Sequence, residues 1–194
     1  MRIITGTARG RRLRAPAGLL TRPILDRQKQ MLFDVLGVRV EVDGVLDLFA
    51  GSGGLGLEAL SRGAGRATFV EQDRDALDAL RANVAACRFD DRAHVVAGDA
   101  LRFDFARLRH DVQLVFVDPP FPFVERRRAE LARLLARLVA APQVSAGALV
   151  VWRIPARAEN LTIPSGLVEI DRRDAGRSVI VLYEKRPAAG SNVC

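Results

Sequence analysis

The chain has 194 residues, 49% of them apolar and 27% charged, and a formal net charge of +7 at pH 7. That length suits one domain with a proper core. No apolar run reaches the ~18–20 residues needed to cross a bilayer, and the N-terminus has no apolar signal segment, so a soluble, cytoplasmic protein is expected. Only two cysteines occur, Cys87 and Cys194, without partners at metal-ligand or redox spacing, which argues against a zinc site or a disulfide framework.

The charge is concentrated at one end. Residues 1–30 carry eight basic side chains (Arg2, Arg9, Arg11, Arg12, Arg14, Arg22, Arg27 and Lys29) against Asp26 alone, an excess equal to that of the whole chain. A basic arm on a neutral body suits phosphate binding, because each neutralised phosphate releases condensed counterions; the bland alternative is a solvated tail.

In chain order, Arg2–Thr5 and Arg11–Arg14 flank a glycine-containing turn and are expected to pair as a hairpin. Asp26 is expected to cap a helix from Arg27 to about Gly37. From Val45 the pattern alternates: strand Val45–Phe49, helix Gly54–Ser61, strand Ala67–Glu71, helix Arg74–Cys87, then strands Ala93–Val96 and Val112–Val117. A helix Glu125–Ala140 and a strand Ala148–Trp152 follow, then two strand-like stretches, Leu167–Asp171 and Ser178–Glu184, joined at Asp174-Ala175-Gly176. Alternation of this kind implies a parallel sheet covered on both faces, an α/β fold, ending here in a hairpin with an antiparallel strand.

Two segments carry chemistry. The first, Asp47-Leu48-Phe49-Ala50-Gly51-Ser52-Gly53-Gly54-Leu55-Gly56, places a glycine-rich turn between a strand and a helix, where left-handed backbone angles and close ligand approach are needed. Gly51, Gly53 and Gly56 satisfy G-x-G-x-x-G, and Glu71 lies where an acidic residue would accept from ribose hydroxyls, so a dinucleotide site is a rival. A carboxylate at Asp47 suits a cationic sulfonium cofactor better than a pyrophosphate.

The second segment, Asp118-Pro119-Pro120-Phe121, follows a buried strand at the carboxyl edge of the sheet, where open α/β sheets bind ligands. An aromatic amine such as guanine N2 is a poor nucleophile because its lone pair is delocalised. The Asp118 carboxylate and the Pro119 carbonyl can accept its N–H groups, orient the lone pair and stabilise positive charge developing on nitrogen. The prolines stiffen the turn, and Phe121 offers a face for an extruded base. A strand-ending turn with an aspartate cap is the bland alternative.

Together these motifs resemble the class I methyltransferases, and within them the RsmD-like family that makes N2-methylguanine in small-subunit (16S) ribosomal RNA. The resemblance rests on Arg2-Ile3-Ile4 with Gly6, Gly10-Arg11 and Leu13; on Thr21-Arg22-Pro23, Asp26-Arg27 and Leu32-Phe33; and on the glycine loop, Leu55-Gly56-Leu57-Glu58-Ala59, Ser61-Arg62-Gly63-Ala64 and Asp118-Pro119-Pro120. It implies a Rossmann-like, seven-stranded, mostly parallel sheet with an antiparallel last strand and a small N-terminal hairpin/helix extension. The implied organisation is a basic RNA-binding extension over 1–40, a methyltransferase domain over 41–186 and a loose tail over 187–194.

The resemblance also implies S-adenosyl-L-methionine as cofactor, held by Asp47, Phe49, Ala50, Gly51, Ser52, Gly53, Glu71, Asp99 and Ala100. Asp99 would accept from the adenine amino group, although it equally suits the cap of a short helix. Asp118, Pro119, Pro120 and Phe121 would be catalytic, and Arg9, Arg11, Arg12, Arg22 and Arg27 would contact ribosomal RNA, naked or within a 30S particle; no membrane or metal is implied. The chain departs from the family at Gln28, Gln30 and Met31, and has phenylalanine at 121 where tyrosine is frequent. The rivals are an amino methyltransferase acting on DNA adenine or cytosine or on protein glutamine, and a non-catalytic RNA-binding assembly module.

Overall fold

The computed structural model describes residues 1–16, 24–158 and 161–187. Seven strands, β1 (Gly44–Leu48), β2 (Arg66–Glu71), β3 (Ala93–Ala97), β4 (Val112–Val117), β5 (Val144–Pro155), β6 (Leu167–Ala175) and β7 (Ser178–Lys185), form one sheet in the order β3-β2-β1-β4-β5-β7-β6. The first five strands pair in parallel, and β7 inserts antiparallel between β5 and β6. The helices are α1 (Asp26–Leu36), α2 (Gly56–Ser61), α3 (Arg74–Cys87), α4 (Phe121–Arg126) and α5 (Arg128–Ala140).

Side chains of a strand alternate between faces, and the core divides accordingly. Val45, Leu114 and Phe116 pack on one face with Leu57, Leu60, Phe69 and Leu80 from α2, β2 and α3. Leu46, Leu48, Val115 and Val117 pack on the other with Leu131, Leu134 and Leu138 of α5. Being buried on both faces, β1 and β4 read as continuous apolar runs that only Asp47 and Gln113 interrupt. Ile3, Leu13, Leu32 and Phe33 join the first cluster, so the N-terminal arm shares the sheet's core. Among the described residues no helix is long and apolar enough to cross a membrane.

Several expectations need revision. The N-terminal hairpin reduces to one bridge, Arg2 with Arg12, supported by Ile3 N–H donating to the Arg11 carbonyl (2.9 Å) and Gly10 N–H to that of Ile3 (2.9 Å). Asp26 is not a cap but the first residue of α1; Leu25 stands at the cap, and the Gln28 side chain reaches back to the Leu25 N–H (3.3 Å). The helix expected over Glu125–Ala140 is two helices separated at Arg127, whose ψ of 33 departs from helical geometry while its guanidinium grips Glu130 (2.8 and 2.6 Å). β5 runs beyond its apolar segment at both ends, pairing Val144 with Val112 of β4 and Pro155 with Ser178 of β7, and β6 is lengthened by its antiparallel pairing to β7.

Candidate active site

β1 and β4 are adjacent, with Leu48 opposite Val117, so the glycine loop and the Asp118 turn leave the same edge side by side. β1 is followed in chain order by β2 on one side, whereas β4 and β5 lie on the other; the sheet reverses its winding at this point, where α/β sheets bind ligands.

The loop is shaped by backbone angles that side chains resist. Phe49 (φ 63), Gly51 (φ 55) and Gly53 (φ 86) are left-handed, which costs a non-glycine residue such as Phe49 ~1–2 kcal/mol. Neighbours hold the strained turn in place. Ala50 N–H donates to the Val70 carbonyl (3.0 Å), Gly51 N–H to Glu71 Oε2 (2.7 Å), and Asn83 Nδ2 to the Ser52 carbonyl (2.9 Å). A Cβ on Gly53 would crowd Leu80 and Leu57, and one on Gly56 would overlap Phe69, whereas one on Gly51 would meet nothing. Gly51 therefore faces open space, and Gly53 and Gly56 face the core.

Two carboxylates, Glu71 and Asp47, bond the backbone of this loop and of the helix it leads into. Glu71, at the end of β2, accepts three backbone N–H groups, those of Gly51, Gln72 (2.8 Å) and Asp73 (2.9 Å). A carboxylate offers about four acceptor sites, so about one stays open for a hydroxyl. Asp47 is only 1% exposed and accepts from Gly56 N–H (2.9 Å). Burial, reinforced by the charges of Asp118 and Glu71, pushes its carboxyl up to about 8. Asp47 thus lies behind the loop, in a place that opposes its ionisation. Asp99 caps the 3₁₀ turn Ala100–Arg102 by accepting from Leu101 N–H (2.9 Å), and Ala100 is buried.

Asp118 is held by a residue that the sequence reading passed over. Arg153 of β5 donates from Nε to Oδ1 (2.6 Å) and from its terminal nitrogen to Oδ2 (3.0 Å), and its guanidinium lies 5.1 Å from the Phe121 ring centroid. Burial holds the Asp118 carboxyl above its usual range, against the opposing pull of Arg153. Phe121 is the first residue of α4, and the carbonyl of Pro120 accepts from Phe123 N–H (2.8 Å). The available signal was a lone arginine following an apolar run, with Trp152 opposite Val117 in register.

The arm is bolted beside the loop. Glu58 of α2, fully buried, accepts from Ile4 N–H (2.8 Å), Thr5 N–H (3.0 Å), Arg62 Nε (2.9 Å) and the equally buried Lys29 Nζ (2.9 Å), which also donates to the Arg2 carbonyl (2.6 Å). Asn83 bonds both backbone groups of Arg14 while holding Ser52, and Met1 packs at Gly54. Arg9, Arg11, Arg12 and Arg27 are exposed, and Arg22 lies outside the described residues.

A family model described as "Conserved hypothetical protein 95" matches residues 1–184. The Bacillus subtilis protein YlbH is 32% identical over 188 residues, covering 96% of this chain and 100% of that one. Ribosomal RNA small subunit methyltransferase D of Escherichia coli K12 is 44% identical over 121 residues, 62% of this chain and 60% of the relative. Among solved structures, the Escherichia coli methyltransferase yhhF superposes with a TM-score of 0.77 at 34% identity, over 96% of this chain and 98% of that one.

Proposed function

The chain belongs to the conserved hypothetical protein 95 family, the RsmD-like methyltransferases, and on that premise we propose that it transfers a methyl group from S-adenosyl-L-methionine to the exocyclic N2 of a guanine in small-subunit (16S) ribosomal RNA. The observation that carries the reading is the adjacency of the glycine loop and Asp118-Pro119-Pro120-Phe121 at the winding reversal.

The residues fit the cofactor. Burial together with the neighbouring Asp118 and Glu71 carboxylates opposes ionisation of Asp47, and a cationic ligand beside it favours the charged form. Gly51 leaves room for close approach beside Phe49, Ala50, Ser52 and Gly53, the open site on Glu71 suits a ribose hydroxyl, and Asp99 with Ala100 would border the adenine. When bound, the cofactor supplies an electrophilic methyl group on a cationic sulfur.

The remaining chemistry belongs to the chain. Asp118 and the Pro119 carbonyl accept the amine N–H groups, localise the lone pair and stabilise the charge that develops on nitrogen. The resulting ammonium is acidic and releases its proton to water, so Asp118 need not take it. Phe121 stacks the extruded base, and Arg9, Arg11, Arg12, Arg22 and Arg27 hold phosphates.

The test is transfer of radiolabelled methyl to undermethylated small-subunit RNA, naked and in 30S particles, followed by nucleoside analysis. Label in N2-methylguanosine is expected, and the form of RNA that takes it up identifies the assembly state recognised. Label in methyladenine, methylcytosine or protein, or cofactor binding with no transfer, overturns the assignment.

A further inference from the structure

We propose that Arg153 is a positioning residue: its guanidinium fixes the Asp118 carboxylate by a two-point contact and aims the unused oxygen sites at the amino group of the target base. The inference rests on the reading of Asp118 as the amine acceptor. The contact is bidentate, with N···O distances of 2.6 and 3.0 Å, between side chains only 12% and 15% exposed. A planar fork on a carboxylate sets the plane of the acceptor as well as its place, which a point charge does not. Two of about four acceptor sites are consumed, so two stay free for a substrate N–H, and the pair need not open for catalysis.

The same guanidinium packs against Phe121, 5.1 Å from the ring centroid. One cation therefore braces both the acceptor and the ring proposed to stack the base, leaving the opposite ring face for the base. Both partners hang on neighbouring strands: Asp118 directly follows Val117 of β4, and Arg153 directly follows its register partner Trp152 on β5. Strand pairing thus sets their separation, and no loop ordering is required. Asp118 in turn acts on the buried Asp47 of β1, whose ionisation Glu71 of β2 also opposes. Arg153 is the cation that faces Asp118, and it counters part of the effect of burial.

The experiment compares Arg153→Gln, Arg153→Lys and Asp118→Asn. The carboxyl resonance of Asp118 is titrated by carbon-13 NMR in the cofactor-free protein, and methyl transfer from radiolabelled S-adenosylmethionine to undermethylated small-subunit RNA is followed from pH 5 to 9. For Arg153→Gln the Asp118 titration and the acid limb of kcat should both move up by about 1–3 pH units, the range that a close opposite charge contributes. Its kcat at pH 6 should fall at least tenfold, with KM for RNA changed less than twofold. Arg153→Lys keeps the charge and loses the fork, so its acid limb should stay near that of the parent while kcat falls about tenfold.

An unmoved limb with kcat within twofold of the parent in Arg153→Gln overturns the proposal, as does a loss confined to KM, which would make Arg153 a phosphate contact. Should Arg153→Gln not fold, Arg153→Lys decides alone: full kcat there refutes the orienting role. Asp118→Asn separates the two layers. If it turns over like the parent, a neutral acceptor suffices, the carboxylate reading of Asp118 fails and this inference with it; if it is inactive while both Arg153 variants behave as the parent, only the inference fails.

Discussion

Glu58→Ala removes the acceptor shared by the arm, α1 and α2. Glu58 and Lys29 are both fully buried, 2.9 Å apart, and taking one partner from such a pair costs about 3–5 kcal/mol because the other charge is left uncompensated. The amides of Ile4 and Thr5 lose their acceptor as well. They lie at the part-buried end of the network, where water can substitute, so 3–5 kcal/mol is the expected total at pH 7. That is a large share of the 5–15 kcal/mol typical of a domain. The pH dependence has a definite sign. Burial holds the Lys29 ammonium below its usual range, against the pull of Glu58. The unfolded chain therefore binds that proton more tightly, and stability rises with pH through the window below 10.5. Deleting Glu58 deepens the depression and widens the window downward. Urea unfolding at pH 7 and pH 10 should show a deficit that shrinks at the higher pH. A deficit under about 1 kcal/mol at pH 7, or one equal at both values, refutes the network as the fastening of the arm.

Gly51→Ala and Gly53→Ala should part company: Gly51 has a left-handed φ but free space, whereas Gly53 has both a left-handed φ and close neighbours in Leu57 and Leu80. Calorimetry with S-adenosylhomocysteine should show at least tenfold weaker binding for both, while thermal unfolding shows ~1 kcal/mol lost for Gly51→Ala and more for Gly53→Ala. Asp47 binds its proton up to about pH 8 in the fold against a usual 3.8, so its contribution weakens stability as pH rises through that interval, at up to ~1.4 kcal/mol per pH unit. Asp47→Asn should flatten the dependence, and equal slopes for parent and variant in denaturant titrations at pH 5 and 8 would count against the burial argument. Replacing Arg9, Arg11 and Arg12 by alanine should reduce the slope of log affinity for RNA against log salt by about 2, at ~0.7 per phosphate on single strands; a parallel shift without a slope change would refute direct phosphate contact.

Local signals located the elements well where a cap and a pattern coincide. α3 and β4 occupy the segments expected, Arg74–Cys87 and Val112–Val117, and α3 begins where the Asp73 side chain accepts from Ala76 N–H (2.9 Å). The glycine loop and the Asp118 turn were visible because backbone strain and strand ends leave glycine and proline behind. Partnerships across distance left no such trace. Lys29 with Glu58, and Asp118 with Arg153, are separated by 29 and 35 residues; the first pair meets where α1 packs on α2, the second only through sheet order. The break between α4 and α5 carries neither glycine nor proline; a side-chain fork from Arg127 to Glu130 accompanies it instead. Asp47 looked like a charge in the sequence, and only its burial shows that its ionisation is opposed.

The strand order also dictates a schedule. β1 finds β2 some 20 residues downstream, but its other neighbour, β4, follows nearly 70 residues later, with Val45 opposite Leu114. During synthesis the segment through α3 can gather β1 and β2 while one long edge of β1, lined by Val45, Leu46 and Leu48, stays unpaired. Long-range parallel pairings of this kind form slowly, and an open apolar strand edge invites association between chains. The interval between emergence of β1 and of β4 is therefore the vulnerable one for this protein, and the yield of soluble product should respond to temperature and chaperone supply during that interval more than to the stability of the finished fold.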